Sequence, residues 1–172
     1  MQRRLIAILV QNQSGVLHRV TGLFMRRGYN IESLTVSTTG TPQLSRITAV
    51  LNADDETLEQ VIKQLSKLVD VQVVRVLPAQ ESLRREIALV KLSRAELPLA
   101  EVLNQYNAKV VDADEQIYTV EIVGMQEEID AFVEQAKSWG LVEMARSGLV
   151  ALQYGTQHLH DEKGDTLLWH GK

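Results

Sequence analysis

Two side-chain amides, Asn12 and Asn30, flank a segment that opens and closes on glycine. It begins Asn12-Gln13-Ser14-Gly15-Val16-Leu17-His18 and ends Gly28-Tyr29-Asn30-Ile31. An amide donates to a carboxylate and accepts from an ammonium. A glycine at a helix start lets a ligand approach the backbone, because no Cβ stands in the way. The first N–H groups of such a helix have no intrahelical acceptor and favour an anion. Together these groups suit a small zwitterion such as a free amino acid. A strand–glycine–helix turn also occurs where the glycine serves only the turn, so spacing alone leaves both readings open.

Other groups carry side chains capable of chemistry. Ser14 and His18 are four residues apart and suit a nucleophile–base pair, but no acid stands ready to orient His18. Ser14 is better explained as a helix cap that accepts from a first-turn N–H. Asp54-Asp55-Glu56 suggests a metal, yet acidic residues in a first turn ordinarily complement the helix dipole. His158, His160 and His170 fall in a polar tail with Asp161, Glu162 and Asp165, where a His-x-His metal site competes with a simple solvated end. Trp169 beside Leu167 and Leu168 either docks on a partner or folds back. Arg146-Ser147-Gly148 reads equally as a loop touching a phosphate or partner and as a bulge in the last strand. No dinucleotide fingerprint and no P-loop is present. Nothing resembles a thiamin diphosphate or flavin site.

The elements that must position Asn12 and Asn30 follow from periodicity. Val16, Leu17, Val20, Leu23, Phe24 and Arg27 form one helical stripe over 15–27, after an apolar strand at 5–10. Ser14 is its expected cap, and Gly28 suits the left-handed position past its end. Arg26 and Arg27 sit at the negative end of the dipole. Gly22, inside the helix, is read as serving close helix–sheet packing. Strands at 30–39 and 44–51 then flank the turn Gly40-Thr41-Pro42, followed by a helix at 54–68, capped by Asp54 or Asp55, and a strand at 71–77.

The same order recurs. Arg3-Arg4-Leu5-Ile6-Ala7 returns as Arg84-Arg85-Glu86-Ile87-Ala88. A strand at 86–93, a helix at 99–106, strands at 109–112 and 117–123, a helix at 126–138 and a strand at 142–152 follow. The chain is therefore α+β: two tandem ferredoxin-like βαββαβ units. Their domains are 1–78 and 79–155, with a polar tail at 156–172. Each unit should carry an antiparallel four-stranded sheet with both helices on one face. The other face still needs cover, so association is expected. The halves differ at the first turn, where the second has Arg94-Ala95-Glu96-Leu97-Pro98 and no glycine. Only the first half keeps a turn ready for a ligand.

Aromatic residues are only 5% of the chain, so an aliphatic core is expected. A net charge of −4 argues against a nucleic-acid surface, which needs a basic face. The absence of cysteine excludes disulfides, thiolate zinc sites and cysteine nucleophiles, and fits a reducing compartment. No run reads as a signal peptide or membrane span, so a soluble cytoplasmic protein is expected.

The run from Asn12 to Leu34 resembles the effector-binding motif of an ACT domain. More narrowly, Arg26-Arg27-Gly28-Tyr29-Asn30-Ile31-Glu32-Ser33-Leu34-Thr35-Val36 and Leu44-Ser45-Arg46 resemble the regulatory (small) subunits of acetolactate synthase, also called acetohydroxyacid synthase. So do Gln64-Leu65-Ser66-Lys67-Leu68-Val69-Asp70-Val71, Arg84-Arg85-Glu86-Ile87-Ala88-Leu89-Val90-Lys91 and Ala145-Arg146-Ser147-Gly148. The likeness runs from Met1 to about Leu152.

The resemblance implies an N-terminal ACT domain and an ACT-like second domain in a non-catalytic subunit. Such a subunit carries no cofactor. It binds the catalytic large subunit, where the thiamin diphosphate chemistry resides, through a surface expected within 79–155. It raises that subunit's activity and makes it sensitive to a branched-chain amino acid, commonly valine, with leucine or isoleucine as alternatives. The resemblance further implies a homodimer through the ACT domains, with the effector at the interface. Asn12, Gly15, Val16 and Leu17 of one subunit would hold the amino-acid backbone, Asn30 and Ile31 of the neighbour would close the site, and Ser14 and His18 would line its edge. All match the family pattern except His18, where small residues also occur. Two rival readings remain. One is a free-standing ACT sensor acting on another enzyme or regulator. The other is a ferredoxin-like nucleic-acid binder, which should show exposed aromatic and basic residues on its sheet.

Overall fold

Which residues of the first strand are buried decides the architecture of the first half. In the computed structural model, which describes residues 2–95 and 98–159, β1 (Gln2–Gln11) is buried at every position from 5 to 10. A strand buried on both faces belongs in the middle of a sheet with both sides covered. The chain divides into two compact units, residues up to Leu83 together with the segment from Ala151, and Arg84–Val150.

In the first unit β1 leads to α1 (Val16–Arg26), β2 (Ile31–Thr38), β3 (Leu44–Ala53), α2 (Asp55–Leu65) and β4 (Val71–Val76). The sheet order is β2-β3-β1-β4, antiparallel throughout. This is the expected βαββαβ arrangement. Ile6, Ile8 and Val10 pack with Ile47, Ala49 and Leu51 against Val20, Leu23 and Phe24 of α1 and Leu58, Val61, Ile62 and Leu65 of α2. Asp54 caps α2 as expected, accepting from the Thr57 N–H at 2.9 Å.

The other face of this sheet is covered by its own chain. Leu5, Ala7 and Leu9 are buried there, in register with Val50, Thr48 and Arg46 of β3. The segment returning from Ala151 is pinned over them. Arg46 Nη2 donates to the Ala151 carbonyl at 2.5 Å. Arg75 Nη1 donates to Gln153 Oε1 and to the His158 carbonyl, each at 2.7 Å. The cover that composition assigns to association thus comes, for this sheet, from residues 151–159. His160, His170 and Trp169 lie outside the described residues.

The second unit holds β5 (Ser82–Ser93), α3 (Leu99–Tyr106), β6 (Lys109–Ala113), β7 (Ile117–Gly124), α4 (Gln126–Ala136) and β8 (Leu141–Arg146), in the sheet order β6-β7-β5-β8. Here β5 alternates. Glu86, Ala88, Val90 and Leu92 are buried, whereas Ile87 and Leu89 are each 43% exposed. The buried core of this unit is aliphatic apart from Phe132, and the partly buried Tyr106 and Trp139 pack against it. Tyr106, Phe132 and Trp139 meet edge-on, with ring centroids 5.2 to 6.3 Å apart. Edge-to-face pairs of this kind add to plain area burial. A composition average hid three rings that the fold gathers in one place.

The last strand, expected as one piece over 142–152, is broken after Arg146, and Gly148 sits at φ 77°. The break lets Arg146 turn inward. It donates from Nε and Nη2 to the two oxygens of the buried Glu86 at 2.8 and 2.7 Å, and from Nη1 to Asp130 at 2.7 Å. Hydrogen bonding to Glu86 outweighs the opposing desolvation and holds the guanidinium charged far above its usual range. Arg146 is thus bonded to two carboxylates within its own unit, and the alternative of a phosphate contact loses its cation.

Truncating Glu86 strands much of that charge. Glu86→Ala should destabilise the chain by about 3 kcal/mol, while Glu86→Leu with Arg146→Met should recover most of the loss. Denaturant titration of the two variants measures this directly.

Candidate functional site

The exit from β1 to α1 takes four residues. Asn12 N–H donates to the Gln43 carbonyl at 2.7 Å, and its Nδ2 donates to the Pro42 carbonyl at 3.0 Å. The turn is thereby braced against the loop before β3. Gln13 accepts from the Val16 N–H at 3.3 Å. Gly15 then takes a left-handed conformation, φ 84°, and is itself the N-cap of α1.

Ser14 therefore does not cap the helix. It stands one residue outside the cap, and no side chain caps α1. The physical reason is the left-handed residue, which bends the chain at the position where a capping side chain would have to sit. Acceptors at this end run out early. Gly15 accepts from the Arg19 N–H at 3.0 Å, and the N–H groups of Leu17 and His18 have no acceptor among the described residues. Two free donors at the positive end of a helix dipole form an anion-favouring corner.

Around this corner Asn12, Ser14, Gly15, Leu17 and His18 are exposed. Val16 is not. Its side chain is 2% exposed and belongs to the core, so it offers a ligand no side-chain surface. Ser14 and His18 form no bond to each other among the described residues, and nothing assembles a nucleophile with a base.

Asn30 and Ile31 lie at the far end of α1. That end is built as expected around Gly28, at φ 68°. Gly28 N–H donates to the Met25 carbonyl at 3.1 Å and Tyr29 N–H to the Phe24 carbonyl at 3.0 Å. This is the paired bonding of a Schellman ending, with its hydrophobic contact made by the Phe24 and Tyr29 rings, centroids 6.4 Å apart. Asn30 is exposed and Ile31 half-buried. Eleven residues of helix separate the two groups, about 16 Å at 1.5 Å per residue. Within one chain they do not meet.

Gly22 departs from its expected role. A Cβ there would meet Arg26 Nη1 at 3.3 Å and no sheet atom within 4 Å. Helix–sheet packing therefore does not require this glycine. Asp54-Asp55-Glu56 is not a metal cluster either. Asp54 caps α2, Asp55 pairs with Arg4, and no metal-holding group of three or more such residues occurs among the described residues. Also among them, no helix is long and apolar enough to cross a membrane.

Sequence reading passed over Arg19 and Asp70. Arg19 Nε donates to Asp70 Oδ2 at 2.7 Å, and its Nη1 lies 3.2 Å from where a Cβ on Gly15 would stand. The available signal was the four-residue spacing of Gly15 and Arg19, which puts both on one helix face.

Comparison with known proteins places this geometry in a family. A family model described as an AHAS small subunit-like ACT domain matches residues 6–73, and one described as the small subunit of acetolactate synthase matches residues 85–155. The acetolactate synthase isozyme 3 small subunit of Escherichia coli is 43% identical over 157 residues, covering 89% of this chain and 96% of that protein. The acetolactate synthase small subunit of Bacillus subtilis is 41% identical over 159 residues, covering 90% and 92%. A crystal structure of the acetolactate synthase small subunit from Thermotoga maritima superposes with a TM-score of 0.84 at 33% identity, covering 91% of this chain and all of that one. Two tandem ferredoxin-like units, a glycine turn opening the first and likeness over nine-tenths of the length lead to one conclusion: the chain belongs to the acetolactate synthase small subunits, the regulatory rather than the catalytic chains of that enzyme.

Proposed function

We propose that this chain binds a branched-chain amino acid, valine first among them and leucine or isoleucine as alternatives, and uses it to throttle the catalytic large subunit of acetolactate synthase in the cytoplasm. The observation that carries the reading is the left-handed Gly15, with the open N–H groups of Leu17 and His18 beside it. Asn12, Ser14, Gly15, Val16, Leu17 and His18 form one half of the site, Val16 through its backbone. Asn30 and Ile31 form the other half. Because those halves stand at opposite ends of one helix, a second copy supplies the missing half, and the effector sits between two ACT domains of a homodimer. Residues 79–155 carry the contact with the catalytic subunit, whose activity the chain raises in the effector's absence.

The mechanism is linkage. A ligand seated between two copies favours one packing of the pair, and it shifts the equilibrium only by its differential affinity for the two packings. A coupling of about 1–3 kcal/mol shifts that equilibrium roughly 5–150-fold. The three candidate effectors differ by a methylene or its placement, worth only about 1–3 kcal/mol in an apolar pocket, so preference among them is set by fine shape.

Calorimetry of the chain with valine should show saturable binding near one per subunit. Gly15→Asp places an anion where the ligand carboxylate belongs and should abolish both binding and valine inhibition of the reconstituted enzyme. Asn30→Ala should weaken both, and Gly40→Ala, in a turn where a Cβ meets nothing within 4 Å, should change neither. Valine inhibition retained in Gly15→Asp would overturn the site.

A further inference from the structure

The space above Gly15 is not empty. A Cβ there would stand 3.2 Å from Arg19 Nη1, one turn further along α1. The helix does not hold the guanidinium by itself. Its Nε donates to Asp70 Oδ2 at 2.7 Å. Asp70 precedes β4, and its own carbonyl accepts from the Gln11 N–H at 2.8 Å. The end of β1, the start of β4 and α1 are tied together at this corner. With Nε held by Asp70, Nη1 is turned toward Gly15, where no acceptor among the described residues takes its protons.

The open N–H groups of Leu17 and His18 are in the same turn of helix. A guanidinium, paired through Nε with Asp70 but with Nη1 left over, and two backbone donors therefore border one exposed spot. The charge is half in solvent, with 47% of the Arg19 side chain exposed and 19% of Asp70, so a small solute can reach it. Backbone donors alone do not separate a carboxylate from a carboxamide oxygen by much, whereas a guanidinium does, because hydrogen bonds between charged partners are roughly twice as strong.

We infer that Arg19 is the counter-charge for the carboxylate of the bound amino acid, and that Asp70 is a positioning residue that holds the guanidinium over Gly15. The inference rests on the amino-acid reading of the Asn12–His18 turn and assigns within it the group that recognises the acid. It also gives glycine at position 15 a second purpose. A side chain there meets the guanidinium, and an aspartate would take the Nη1 donor meant for the ligand.

The test is calorimetry of the full chain with valine and with valinamide, which keeps the ammonium and side chain but lacks the negative charge. Wild type should bind valine roughly tenfold or more tighter than valinamide. Arg19→Gln should lose that preference by weakening valine alone, Arg19→Lys should restore part of it, and Asp70→Asn should fall between. Arg19→Gln keeping the wild-type preference would overturn the inference while leaving the amino-acid site intact. Wild type binding neither compound would overturn the site itself and the inference with it. If Arg19→Gln fails to fold, the Lys and Asn variants decide, and an unchanged preference in both counts against Arg19.

Discussion

The chain must leave the centre of a sheet and enter a helix within four residues, and it does so by passing through a conformation that only glycine adopts freely. The left-handed φ of 84° at Gly15 is that constraint. It sets the direction of α1, so that Val16, Val20, Leu23 and Phe24 reach the core. It removes Ser14 from the capping position. It also leaves two helix-start donors without acceptors. Core and candidate site thus share one backbone residue, and a substitution there is strained whatever the new side chain would add.

The two units solve the same packing problem differently. Both sheets bury one face beneath two helices. The first unit closes its second face with residues 151–159, whose carbonyls take the guanidinium groups of Arg46 and Arg75. Burial of that guanidinium lowers the Arg46 pKa, a cost of hiding a cation beside a carbonyl rather than a carboxylate. The second unit leaves Ile87, Leu89 and Val123 partly in solvent and holds Arg146 between the buried Glu86 and the part-exposed Asp130. One βαββαβ pattern therefore serves two ends, a unit with an open helix start and a unit with an ion cluster around a buried glutamate.

Much of this was legible in the residues. The strand–helix order, the Gly28 ending, the Asp54 cap and the antiparallel topology follow from local periodicity and turn chemistry, which act over a few residues and leave their mark in sequence. The failures share a cause. Ser14 has the right residue type for a cap, but the backbone angle at Gly15 decides who caps. Gly22 looks like a packing glycine, but only the atoms around it show that a Cβ there would meet no sheet atom within 4 Å. Arg146 looks available to a phosphate until Glu86, far away in sequence, is seen to hold it.

By itself the sequence determined the class of fold, the family and the turn at which a small zwitterion could sit, because those depend on hydrophobic period, glycine positions and contiguous motifs. The tertiary structure alone decided which groups at that turn are free. Val16 goes to the core, Ser14 gives up its capping role, Asn30 ends about 16 Å of helix away, and Arg19 is drawn over Gly15 by Asp70, which is 51 residues further along the chain. Contacts at that separation are fixed by how the strands come together, and nothing local in the sequence encodes them.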